Sequence, residues 1–78
     1  MFLLNQLKIN TMITEEIGSN AGKIWDFLNE QGNQSLKELK KKLKMTDQQF
    51  YLAVGWLARE GKIFDFEDDK TLMIGLKE

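Results

Sequence analysis

The sequence predicts an α+β domain in which three helices are followed by a C-terminal β-hairpin. Two observations predict this fold: apolar residues recur at helical spacing as far as Glu60, and after Gly61 they alternate with period two. The 78 residues suffice for one small domain. A chain of this size buries only about 60–65% of the surface that its unfolded state exposes, so its core is small.

The first helix is expected from about Thr14 to Gln31. Thr14 is a good N-cap residue, and Glu15 and Glu16 would lie at the positive end of the helix dipole. Gly32 suits the left-handed residue that ends a helix. Four apolar residues at helical spacing form the expected buried stripe: Ile17, Ala21, Ile24 and Leu28.

Residues 1–11 have two interpretations, as an N-terminal arm or as an upstream-start extension, and residues 12–78 form the predicted domain. Met12 stands directly before the first well-organised helix and is a candidate natural start. In the other interpretation the residues are a real arm, whose apolar members pack on the domain or on a partner: Phe2, Leu3, Leu4 and Leu7. No basic segment precedes the apolar run, so a signal peptide is not expected.

The second helix is expected over about Leu36–Lys44, with Ser35 as its N-cap and Glu38 three residues later in the capping-box pattern. Its inward residues are Leu36, Leu39 and Leu43. The preceding "GNQS" is a loop that leaves room for one short bridge of strand.

The third helix is expected from the Thr46 cap to about Glu60, ending at Gly61. One face of it is apolar and carries Phe50, Ala53, Val54 and Leu57. After Gly61, "KIFDFE" and "TLMIGL" read as two strands joined at "DDK".

From about Met12 to Lys77 the sequence resembles the winged helix-turn-helix superfamily, chiefly through "SLKELKKKLKMTDQQFYLAVGWLAREGKIFDF". More narrowly, "NAGKIW" and "GWLAREGKI" are similar to a family of short bacterial and archaeal winged-helix proteins of unknown function. The resemblance implies a three-helix winged helix-turn-helix with a C-terminal β-hairpin wing. It also implies that the third helix lies in the major groove of DNA and the wing beside the phosphates.

Catalytic and metal-binding residue types are scarce. The chain has no His and no Cys, which removes Ser-His triads, Cys nucleophiles and His- or Cys-ligated zinc. The acidic run Asp65, Glu67, Asp68 and Asp69 lacks the spacing and closing Glu of a calcium loop. We therefore expect no enzyme activity, cofactor, metal or small-molecule substrate. The absence of Cys suits the reducing cytoplasm.

Lysines on the second helix are the main indication of nucleic-acid binding. "KELKKKLK" has five lysines against Glu38, and lysines on one helix can contact phosphates. The alternative is that a short helix with three buried leucines needs polar residues elsewhere, and lysine is a good helix former. On the third helix, Gln48, Gln49 and Arg59 could reach bases or phosphates. The expected nucleic-acid-binding residues are Lys37, Lys40, Lys41, Lys44, Gln48, Gln49 and Arg59.

Other features oppose DNA binding. The net charge is −1, and the hairpin from Ile63 to Asp69 has four carboxylates and no base. On the third helix, Leu52 and Gly55 point outward without hydrogen-bonding groups, and Trp56 is bulky for a DNA groove.

The set Leu52, Gly55 and Trp56 therefore predicts a protein interface, covered by a second copy, another protein or the N-terminal arm. The alternative is that Trp56 folds back onto the hairpin or the first helix. Small residues Gly18 and Gly22 allow a close backbone approach to the first helix, either by the hairpin or by a partner. The two functions that remain are a DNA-binding transcriptional regulator and a protein-interaction or homodimerisation module that does not bind DNA.

Overall fold

The computed structural model describes the backbone of residues 2–77 and the side chains of residues 13–77. Its elements, in chain order, are α1 (Phe2–Gln31), β1 (Gln34–Ser35), α2 (Leu36–Leu43), α3 (Asp47–Arg59), β2 (Ile63–Asp68) and β3 (Thr71–Leu76). The three strands form one antiparallel sheet in the order β1-β3-β2. The predicted α+β fold class and the C-terminal hairpin are confirmed.

The first helix is longer than the sequence pattern predicts. It begins at Phe2, so the prediction that Thr14 caps its start was wrong. No glycine or proline stands between residues 2 and 17, and without such a residue a cap-forming threonine does not end a helix. The backbone has no break at residue 12, and the division into arm and domain stays a prediction. The predicted packing of the apolar arm residues (Phe2, Leu3, Leu4, Leu7) lies outside the described side chains.

Side-chain caps fix the starts of the two shorter helices. The Ser35 hydroxyl accepts a hydrogen bond of 3.1 Å from the backbone N–H of Glu38, as the capping pattern predicts. The α2 helix ends one residue before the predicted Lys44, because Lys44 adopts the left-handed conformation at φ 56°. The α3 helix has a complete capping box, in which Thr46 and Gln49 each accept a hydrogen bond from the other's backbone N–H, at 3.1 and 3.0 Å.

The core lies where the three helices meet the sheet. Its four most buried large side chains come from four different elements: Ile24, Leu39, Phe50 and Ile74. The predicted inner faces all contribute to this core, although four of their residues are only half-buried: Ile17, Leu36, Leu43 and Val54. The "GNQS" loop contributes the two-residue strand β1, which pairs with β3 through Gln34 and Ser35.

The hairpin turn at "DDK" places two non-glycine residues in the left-handed region. Asp69 has φ 50° and Lys70 has φ 65°, in a two-residue loop between the paired residues Asp68 and Thr71. Such loops favour Asn-Gly because both central residues need positive φ.

We expect the double substitution Asp69→Asn and Lys70→Gly to stabilise the domain by roughly 0.5–1 kcal/mol, because it relieves this backbone strain. The urea midpoint, followed by circular dichroism, measures the effect. A lower midpoint would contradict the assigned turn conformation. The variant Lys77→Gly, outside the turn, is the control and should give no such gain.

Candidate nucleic-acid interface

The lysines of α2 divide between two sides of the helix. Lys37 and Lys41 are exposed and Lys40 is half-buried, and at 100° per residue these three lie on one flank. Lys42 lies on the other flank. Its ammonium group is 3.4 Å from Gln34 Oε1 and 5.8 Å from the centre of the Phe27 ring. Lys42 is therefore engaged within the fold, whereas Lys37 and Lys41 face solvent.

The exposed flank of α2 borders a groove that we call the basic groove. Its volume is about 480 Å³. It lies between α2, α3 and the base of the hairpin turn and is lined by Leu36, Lys37, Lys40, Tyr51, Lys70, Thr71 and Leu72. The fold thus brings Lys70 close to two lysines of the predicted set and adds an aromatic ring, since Tyr51 is 57% exposed. Sequence reasoning missed Tyr51 and Lys70 as groove residues, because only the packing of the hairpin beside α2 brings them there.

Lys40 already has an anionic partner inside the protein. Its ammonium group donates a hydrogen bond to Asp47 Oδ1, and this bond raises the pKa of Lys40. Asp47 is largely exposed, with 74% of its side chain accessible. A phosphate entering the basic groove would compete with Asp47 for Lys40, so Lys40 is a weaker contact candidate than Lys37 or Lys41.

The outward face of α3 is only partly polar. Gln48, Leu52, Gly55 and Arg59 are all exposed. Gln49 is engaged: besides its part in the capping box, its Nε2 donates a hydrogen bond of 3.0 Å to Glu16 on α1. Of the residues predicted to contact bases, Gln48 and Arg59 make no side-chain hydrogen bond or ion pair with another described residue and face solvent, while Gln49 holds α3 against α1.

On the opposite side, α1 and α3 leave two grooves between them. One, of about 190 Å³, includes Ile13, Asn20, Gln48 and Leu52 among its lining residues. The other, of about 300 Å³, is lined by Gly18, Ala21, Gly22, Trp25, Asp26, Trp56, Leu57, Glu60 and Lys62, and we call it the tryptophan groove.

Four large apolar side chains along these two grooves remain open to solvent. Ile13 is 45% exposed, Leu52 44%, Trp56 40% and Trp25 38%. Trp56 therefore lies beside α1, as one interpretation predicted, but it is not enclosed in a core.

Charge is segregated along the chain. Residues 36–62 have seven basic and three acidic residues, a net charge of +4, whereas residues 63–70 have one basic and four acidic residues, a net charge of −3. The acidic residues Asp65, Glu67, Asp68 and Asp69 are exposed on the outer strand β2 and its turn. Within residues 13–77, no three acidic side chains are grouped so that they could hold a metal ion. Among the described helices, none is both long and apolar enough to cross a membrane.

Comparison with known proteins places this architecture in a family. Residues 12–76 match the family model of the winged helix-turn-helix domain DUF2582. The chain belongs to this family. Over 65 residues it is 45% identical to the uncharacterized protein MJ1608 of Methanocaldococcus jannaschii, covering 80% of this chain and 91% of that protein. The hairpin β2–β3 is accordingly the wing.

Solved structures with a similar fold include BT2368 and the Zα domain of PKZ. The solution structure of BT2368 from Bacteroides thetaiotaomicron is 39% identical, with a TM-score of 0.70 over 80% of this chain and 76% of that chain. The Zα domain of PKZ from Carassius auratus, solved in complex with Z-DNA, is 18% identical, with a TM-score of 0.66 over 78% of this chain and 97% of that chain. The second likeness concerns the fold alone.

Proposed function

We propose that this protein is a non-enzymatic DNA-binding module that binds the phosphate backbone of DNA through the basic groove and the adjoining flank of α2. The observation that carries the proposal is the convergence of Lys37, Lys40 and Lys70 around one groove, although the lysines come from α2 and the wing. Lys41 and Lys44, both exposed, extend the same basic surface along α2. A role as a transcriptional regulator in the cytoplasm is the corresponding biological proposal.

Binding through this surface would depend on charge more than on sequence. Lysine contacts to phosphate position a protein on DNA but carry no base information. Any base contacts would be made by Gln48 and Arg59. Leu52 and Gly55 have no hydrogen-bonding groups in their side chains, and Gln49 is already hydrogen-bonded to Glu16. We therefore expect weak discrimination between duplex sequences.

The acidic wing restricts how DNA can lie on the domain. Four carboxylates on β2 and its turn would repel a polyanion, most strongly at low salt. Lys70 in the turn and Thr71 at the start of β3 line the groove, so the duplex would contact the wing only there. The Zα complex with Z-DNA supports the proposal to the extent that a fold of this shape binds nucleic acid.

Salt dependence tests the proposal directly. Fluorescence anisotropy with a labelled duplex at about 50–200 mM salt should show an affinity that falls steeply as the salt concentration rises. A plot of the logarithm of the binding constant against the logarithm of the salt concentration should have a slope of about −0.9 for each phosphate contacted. Three to five lysine contacts predict a slope of roughly −2.7 to −4.5. A random-sequence duplex of the same length is the control and should bind almost as well. Absence of binding at the lowest salt would contradict the proposal.

A second candidate function is protein interaction through the side of the domain where α1 meets α3. The exposure of Leu52 and Trp56 supports it, because large apolar side chains next to one another commonly mark an interface. Gly55 belongs to the predicted set but does not line either groove there. The two candidates are compatible, since the basic groove and the tryptophan groove lie on different sides of α3.

A further inference from the structure

We infer that the tryptophan groove is a self-association surface, whose occupant is the tryptophan groove of a second copy of this chain. The inference deepens the second candidate function and is independent of DNA binding. Every residue it uses lies within the part of the chain that matches the family model, residues 12–76.

The glycines on α1 leave a hole in the tryptophan groove that is open to solvent and that no described residue of the chain fills. A Cβ added to Gly18 or to Gly22 would meet no atom within 4 Å. No described residue of the chain therefore makes the close backbone approach that these glycines are predicted to permit. Glycine is unfavourable in a helix interior relative to alanine, so two open glycines one turn apart are costly unless another chain uses the space.

The same surface has a large exposed side chain, Trp25, that could fill this hole in a second copy. Trp25 is 38% exposed, lines the groove with both glycines and follows Gly22 by three residues on α1. A two-fold axis passing between residues 21 and 22 of antiparallel α1 helices would place Trp25 of each copy opposite Gly18 of the other. An isologous interface requires a patch that is complementary to itself, and a large residue beside its own hole fulfils this requirement.

Charge and area favour a second copy over a nucleic acid and indicate a weak dimer. The groove rim has both signs, with Lys62 Nζ 3.6 Å from Glu60 Oε1 and with Asp26 also lining the groove, so it offers no excess of positive charge to a polyanion. At 38–40% exposure, each tryptophan offers roughly 100 Å² of surface. A patch of a few hundred Å² is below the ~800 Å² per partner of a stable complex, so we expect a dimer that forms at high micromolar concentration or above.

Sedimentation velocity of the purified full chain tests the inference from micromolar to millimolar concentration. Wild type should shift from monomer towards dimer, and the fluorescence of Trp25 and Trp56 should become less accessible to iodide over the same range. Gly22→Lys should remain monomeric, because the lysine fills the hole and places a charge in an apolar contact. It should also raise the thermal midpoint of the monomer, because lysine favours helix over glycine. Gly18→Lys should behave in the same way.

Ser19→Lys is the matched control, since it adds the same side chain to the same helix at an exposed position outside the groove. It should dimerise like wild type. A wild-type chain that stays monomeric at millimolar concentration, or a Gly22→Lys chain that dimerises as wild type does, would overturn the inference. Duplex binding by Gly22→Lys, measured in the same preparation, should be unchanged, which separates failure of this inference from failure of DNA binding. A monomeric wild type would leave Leu52 and Trp56 to a different protein, whose co-purification should be lost in Leu52→Glu.

Discussion

Replacing Phe50 with alanine is expected to remove most of the stability of this domain. Phe50 is fully buried where α3 meets the core, and a Phe-to-Ala change at such a site costs about 3–5 kcal/mol. At the usual ~0.05–0.15 kcal/mol per residue, a chain of this length has only about 4–12 kcal/mol in total. Urea unfolding followed by circular dichroism should therefore show a large fall in the midpoint, with a substantial unfolded fraction before denaturant is added.

The neighbouring Tyr51 provides the control for this result. Its ring contacts Phe50 edge-on at 5.4 Å between ring centres, but it is 57% exposed. Tyr51→Ala should cost about 1 kcal/mol or less, because little buried surface is lost. Equal losses from the two substitutions would mean that the inner face of α3 is wrongly assigned.

The second large effect is expected from charge reversal on α2. Lys41→Glu combined with Lys44→Glu should weaken duplex binding by roughly 10–100-fold and reduce the salt slope by about 2, since two phosphate contacts are lost. Anisotropy at about 50 mM salt measures the affinity. Both residues are exposed, so the fold should be retained, which circular dichroism checks.

A variant with the same net charge distinguishes local contacts from bulk electrostatics. Lys23→Glu combined with Lys77→Glu makes the same change in net charge at exposed positions on α1 and after β3, away from α2 and the basic groove. It should bind DNA with nearly wild-type affinity. A comparable loss in both double variants would indicate that only overall charge matters, and the basic surface would lose its special role.

The fold could be predicted from sequence because its core residues follow regular periods. The spacing that unites Ile24 with Leu28 and Phe50 with Leu57 is set by helix geometry, and the alternation after Gly61 by strand geometry. The start of α1 was not predictable in this way, because Thr14 is equally compatible with a cap and with a helix interior when no glycine or proline stops the chain. Sequence periodicity records which face is apolar, but not where an uninterrupted helix begins.

The candidate site was predictable only within single elements. The flank of Lys37 and Lys41 follows from helix geometry alone. Lys70 and Tyr51 line the basic groove only because the wing packs beside α2. Gln49 is a poor candidate for a base contact because its side chain is hydrogen-bonded to Glu16 of α1. Both differences from the predicted site arise from contacts between residues that are distant in sequence. No local sequence pattern specifies such contacts.

DNA should contact the basic groove and not the tryptophan groove. The most direct measurement is a titration of the ¹⁵N-labelled chain with duplex DNA, followed by NMR. The amide signals of Lys37, Tyr51 and Lys70 should shift in a salt-dependent manner. The indole N–H signals of Trp25 and Trp56, which both lie in the tryptophan groove, should stay in place. Shifts confined to the two indoles, or no shifts at low salt, would contradict the account.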